Sequence, residues 1–194
     1  MKEVDWPGRS AIHIAAEEGH RDVVALLLEQ GGVDVNAVEI HGQTALDHAA
    51  GWGHTDVVIV LLNHPGVDVN GRDNKDWTAL HAAAYYGRTN VLTLLLNHPE
   101  INRRATTNEG QTVLHCLLAS GWGCDPDDMR ILLDNLDVDP NARDLEGATA
   151  IMLVLRNNFN IDLLTMCLRV LVESERVDLD LKNPEGLSLE DLAR

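Results

Sequence analysis

Nine histidines and a large excess of carboxylates are the groups in this chain that could do chemistry. His13, His81 and His115 each stand three residues after a Ser or Thr. A regular series of imidazoles suggests a metal centre, but zinc needs its ligands about 2 Å from one ion. These three recur at the period of an internal repeat, which lays them in a row rather than around a point. They read as structural histidines bonded to hydroxyl and backbone groups. His64 and His98 precede prolines in turns, and His20 and His54 follow helix-ending glycines, so these also read as structural. The pairs Glu17-Glu18 and Asp127-Asp128 could serve acid–base catalysis. They fall near helix starts or ends, and no nucleophile converges on them. Asp68-Val69-Asn70 lacks the spacing and closing Glu of a calcium loop. No phosphate loop, dinucleotide fingerprint or nucleophile elbow is present. The residues therefore assign no catalytic group, no metal ligand and no cofactor, and the expectation is a protein that is not an enzyme.

Composition narrows the class. The 194 residues are 45% hydrophobic and 24% charged, as in an ordinary globular protein. No apolar run is long enough to span a bilayer, and the first residues have no secretory pattern. The net charge is −16, and the acidic excess is spread along the chain. Such a surface disfavours nucleic acid and anionic membranes and favours basic partners. Cys116, Cys124 and Cys167 form no even framework, which points to free thiols in a reducing compartment. Cys116 and Cys167 sit in apolar helical patterns and read as core; Cys124 sits in a loop.

The elements that would position any site come from self-similarity. Segments beginning at Ser10, Thr44, Thr78, Thr112 and Thr149 align, and a further copy begins at Ser188. The intervals are 34, 34, 34, 37 and 39 residues. Each copy opens with a hydroxyl residue suited to a helix N-cap. A short helix follows, with small pairs such as Ala49-Ala50 that let a neighbour approach. Gly19, Gly53, Gly87 and Gly121 end it in a left-handed conformation. Asp22, Asp56 and Asp125-Pro126-Asp127 suit the start of a second helix with a Leu/Val-rich stripe. Gly31-Gly32, Pro65 and Pro99 break that helix. The two longer intervals place insertions at Gly121-Trp122-Gly123-Cys124 and Asn157-Asn158-Phe159-Asn160, between paired helices.

This pattern resembles the ankyrin repeat, whose signature is T-P-L-H-x-A in about 33 residues. The proline of that signature is Ala or Val in every copy here, and its His is Asp47 in the second and Met152 in the fifth. The resemblance implies an all-α solenoid of stacked helix–turn–helix pairs with hairpin-like fingers. One domain, 1–194, would hold repeats at 5–37, 38–71, 72–105, 106–142 and 143–182, with a partial capping repeat at 183–194.

The family also implies where a partner docks: on finger tips and the exposed face of each first helix. Mapped copy by copy, the finger positions give Trp6, Arg9, His41, Gln43, Lys75, Trp77, Glu109 and Gln111. The end of helix one gives Trp52, Tyr85 and Tyr86. The chain has seven aromatic residues, and five of these map to partner-facing positions instead of the core. Trp and Tyr are enriched at interface hot spots. Trp122 and Phe159 lie in the inserted loops as further contacts. Asn36 and Asn70 each end a Leu-x5-Asp-Val-Asn segment that looks like the site of the asparaginyl hydroxylase acting on ankyrin repeats; both also suit a plain turn.

The expectation is thus a monomeric, intracellular module, cytoplasmic or nuclear, that binds a basic protein or peptide on its concave face and finger tips. It would bind no nucleic acid and insert into no membrane. A regulatory inhibitor or adaptor acting on an enzyme, and a structural segment of a longer scaffold, are the alternatives.

Overall fold

A computed structural model describes residues 8–119, 125–156 and 161–188. Ten helices occur among them: α1 (Ala11–Glu17), α2 (Arg21–Glu29), α3 (Ala45–Trp52), α4 (Thr55–Leu62), α5 (Ala79–Tyr85), α6 (Thr89–Leu96), α7 (Val113–Ala119), α8 (Pro126–Asp134), α9 (Ala150–Arg156) and α10 (Ile161–Glu173). No strand is present among the described residues; isolated antiparallel bridges join Thr106 to Thr112 and Arg143 to Thr149. The chain divides into two compact units. The first comprises Met1–Ala83 and Asn90–Asn102, the second Ala84–Thr89 and Arg103–Arg194.

In the first unit α1 packs on α2 and α3, and α4 packs on α2 and α3. Val24, Val57, Val58 and Leu61 are fully buried between them, and Ala45, Ala49 and Ala50 let α3 approach closely. In the second unit α7 packs on α8 and α9, and α10 on α8 and α9. Its core is Leu114, Leu117, Met129, Leu132 and Leu171, joined by the buried thiol of Cys116. Burial pushes that thiol up to about 12, so it stays protonated and inert.

The start of each first helix is closed by a reciprocal pair. Ser10 donates its N–H to His13 Nδ1 at 3.1 Å, and its hydroxyl lies 2.8 Å from the same nitrogen. His13 Nε2 donates to the Ala37 carbonyl at 2.8 Å. Thr112 and His115 repeat the arrangement in the second unit, with Nε2 reaching the Ala148 carbonyl at 3.1 Å. Thr78 and His81 also pair. Both nitrogens of His13 and His115 are thereby used, which fixes a neutral ring with its proton on Nε2. Burial lowers both their pKa values, in the same sense.

Two copies depart from this device. Asp47 accepts from the Thr44 N–H at 2.8 Å and the Thr44 hydroxyl at 2.7 Å, but makes no onward bond like that of His13 Nε2 to Ala37. Met152 offers only a sulfur, 3.5 Å from the Thr149 N–H, and the Thr149 hydroxyl is buried without a partner.

Turns between successive helix pairs are tied by asparagines. Asn36 Nδ2 donates to the Gly66 carbonyl at 2.8 Å, and its Oδ1 accepts from Asp68 N–H at 2.8 Å. Asn70 does the same with Glu100 and Asn102 at 2.8 and 2.7 Å. In the second unit Asn141 bridges to Arg176 and Asp178 at 2.8 and 2.7 Å. Arg176 answers in the opposite direction. Its guanidinium donates to the carbonyls of Leu133, Asn135, Leu136 and Val138, capping the C-terminal end of α8.

Two outcomes follow from the closing pairs. Burial raises the Asp47 carboxyl from 3.8 to about 7, against the opposing Thr44 hydrogen bonds. The folded state therefore holds this proton to higher pH than the unfolded chain does. Asp47 makes stability fall as pH rises from about 4 to about 7, and contributes no slope above that. Urea titrations across this range should show that component, at least about 1 kcal/mol, vanish in Asp47→Asn. Met152→His should give the Thr149 hydroxyl its missing partner and raise the unfolding free energy by about 1 kcal/mol.

Candidate functional site

The segment leading into each first helix is a five-residue finger held by one polar side chain. In the first unit, Glu39 N–H donates to the Gln43 carbonyl at 3.0 Å, and Gly42 N–H to the Glu39 carbonyl at 2.9 Å. The Glu39 carboxylate accepts from the N–H groups of His41 and Gln43 at 2.8 and 3.2 Å. Asp73 closes the next finger by accepting from Lys75 and Trp77 at 2.7 and 2.8 Å. In the second unit Thr107 holds Glu109 and Gln111, both at 3.2 Å, and Asn183 holds Glu185 and Leu187 at 3.1 and 2.8 Å. Asp144 holds Ala148 at 2.8 Å. The sequence reading missed these closing residues. Their signal was available: an Asp, Glu, Thr or Asn stands five residues before every repeat-opening Ser or Thr.

Fingers within a unit are also tied to one another. Asn74 donates its N–H to the His41 carbonyl and its amide to the Ile40 carbonyl, both at 2.9 Å. Leu145 N–H reaches the Glu109 carbonyl at 2.9 Å, and Arg143 reaches the Lys182 carbonyl at 2.8 Å. Gly42 and Gly110 stand where the turn requires a positive φ, and a Cβ there would strike Asn74 at 2.6 Å and Leu145 at 2.9 Å. Asp76 occupies the same turn position with φ 59°.

These ties leave particular side chains outward. In the first unit Trp52, at the end of α3, is 56% exposed. His41 and Lys75 are exposed on the finger tips; Gln43 and Trp77 are half-buried. The Trp77 ring lies 6.3 Å from that of His81. Arg9 is half-buried and paired with Glu17. In the second unit Tyr86 is 40% exposed and meets the half-buried Tyr85 edge to face at 5.1 Å. Glu109 is exposed and Gln111 half-buried. Trp6, Trp122, Phe159 and Cys124 lie outside the described residues. Asn36 and Asn70 are half-buried, with both ends of their amides engaged in the bridges given above.

Two outward features were missed or underused. Leu145 is 79% exposed on its finger tip. Leu136 is 83% exposed beside a groove of about 460 Å³ lined by Arg103, Arg104, Asp137, Asp139 and Arg176. Arg104 is paired with Asp137 at 3.0 Å.

His13 and His48 meet edge to face at 5.8 Å, and burial lowers His48 to about 4. Among the described residues, no group of three or more His, Cys, Asp or Glu side chains is placed to hold a metal ion. No described helix is long and apolar enough to cross a membrane.

Paired short helices, αL glycines and locked fingers in tandem match what the family model of ankyrin repeats in three copies detects over residues 1–73 and 65–144. The chain belongs to the ankyrin-repeat family. Its fold class is accordingly an all-α repeat solenoid. The match ends before α9 and α10, where the Thr–His closure has become Thr149–Met152. No curated protein shows significant sequence similarity to the chain. Ankyrin repeats are generally protein–protein interaction modules.

Finger geometry makes one prediction. Asp76 holds a left-handed conformation that costs a side-chain-bearing residue about 1 kcal/mol. Its contact with Arg72, at 3.7 Å and exposed, offsets little of this. Asp76→Gly should raise the thermal midpoint of the first unit, and the β-branched Asp76→Val should lower it.

Proposed function

We propose that the chain, over 1–194 as one ankyrin array, is a non-enzymatic interaction module that recognises a basic protein or peptide through its finger tips and the ends of its first helices. The observation that carries this reading is Trp52. It is a large aromatic, 56% exposed, at the end of a helix whose capping box and left-handed Gly53 fix its position. An aromatic carried on a backbone that is ordered before binding loses less entropy on contact, and such residues are favoured at hot spots. His41 and Lys75 on the tied fingers of the first unit, and Tyr86 and Glu109 in the second, are the accompanying contacts. The net charge of −16 supports a basic partner, with association that is faster at low salt. A monomer in a reducing, intracellular setting completes the proposal; Cys116 carries no disulfide, as such a setting implies.

Affinity capture from lysate, read by mass spectrometry, tests this. Wild type is compared with Trp52→Ala/Tyr86→Ala, with folding checked by circular dichroism. Loss in the folded variant of a basic protein that wild type retains, and its release from wild type by salt, are the expected result. Equal retention by both would remove the aromatic positions from the site, and retention unaffected by salt would remove the charge argument. Trp52 is expected to contribute about 2 kcal/mol of binding free energy by titration calorimetry.

A further inference from the structure

Asp128 lies outside the contacts proposed above and, among the described residues, is a carboxylate buried where other repeats place an apolar side chain. It stands in the first turn of α8, where the Leu-rich stripes of the second helices align Ile131-Leu132-Leu133 with Leu94-Leu95-Leu96. That alignment puts Asp128 at the position held by Val57 in α4 and Val91 in α6, both fully buried apolar residues. Asp128 is just as fully buried, and neither carboxyl oxygen has a hydrogen-bond partner. A buried, unpaired carboxylate is among the costliest groups a fold can hold.

We infer that Asp128 makes the seating of α8 against α7 and α10 proton-dependent: α8 closes fully when this carboxyl is neutral and opens locally when it is charged. Burial raises its pKa, and the neighbouring Asp125 and Asp127 push the same way. The Thr89 hydroxyl is close enough to ease the charge, but without normal hydrogen-bond geometry. A first-turn position also favours a negative charge, but burial outweighs both. On α7, His115 is committed to Thr112 and the Ala148 carbonyl, and Cys116 keeps its proton. On α10, Arg169 and Glu173 are exposed. In a repeat protein each pair depends chiefly on its neighbours, so one helix can loosen without global unfolding.

The sign opposes ordinary acid destabilisation, which makes it easy to recognise. Hydrogen exchange of the full chain, corrected for intrinsic rates, is followed in peptides covering residues 126–134. Protection of α8 should fall by about tenfold or more between roughly pH 4.5 and roughly pH 7.5. In Asp128→Val, the residue its repeat counterparts carry, α8 should be protected at both pH values. Asp128→Asn, which keeps the shape, should also lose the pH response and serves if the valine variant folds poorly. Peptides of α3 report Asp47 separately. Protection in wild type that is flat or rises with pH would overturn the inference. So would a pH response that survives in both variants.

Discussion

A helix of seven to nine residues is not stable alone in water, and the first nine helices here are no longer than that. Every other feature depends on overcoming this. Short helices leave a large share of their terminal N–H and C=O groups without intrahelical partners. Apolar stripes bring them together, but burial alone would strand those polar groups. The chain answers with side chains that serve two places at once. His13 closes the start of α1 and holds the Ala37 carbonyl. Asn70 holds a carbonyl and an N–H of the following turn with one amide. Arg176 caps α8 while its own carbonyl receives Asn141. The stack is therefore held by polar bonds at its edges as much as by its leucines.

Much of this was legible in the sequence, because a repeat reports each constraint several times. The hydroxyl opening each copy, the glycine ending the first helix and the stripe of the second all recur at fixed offsets. The structural role of the histidines was legible for the same reason: ligands laid in a row cannot converge. The finger-closing residues escaped because the constraint there is one of geometry and not of residue type. Any short acceptor, whether Glu39, Asp73, Thr107 or Asn183, reaches the same two N–H groups. Exposure was read with mixed success. Trp52 stands out as expected, whereas Trp77 and Tyr85 are half-buried because each packs part of its ring on a neighbouring aromatic. Leu136 was overlooked although the repeat alignment places it, between Asn135 and Asp137, at the exposed turn position of Pro65 and Pro99.

The departures from the repeat are as informative as the repeat. Asp47, Met152 and Asp128 each put the wrong chemistry into a position that other copies fill well. In Asp47 the lost imidazole is partly replaced, and the change appears as a raised carboxyl pKa. In Met152 the hydroxyl opposite is simply left without a partner. Two of the three, Asp128 and Met152, lie in the C-terminal half, and Met152 lies beyond the family match.

The fingers carry a consequence for how such a protein changes over generations. Each loop is closed by its own backbone and one interior side chain, and its glycine faces the adjoining loop. The two residues at the tip, such as Ile40 and His41, take no part with their side chains in that closure. They can be exchanged, copy by copy, without breaking the hydrogen bonds that close the frame beneath them. Single substitutions at these tips therefore alter the chemistry of the surface without passing through an unfolded intermediate.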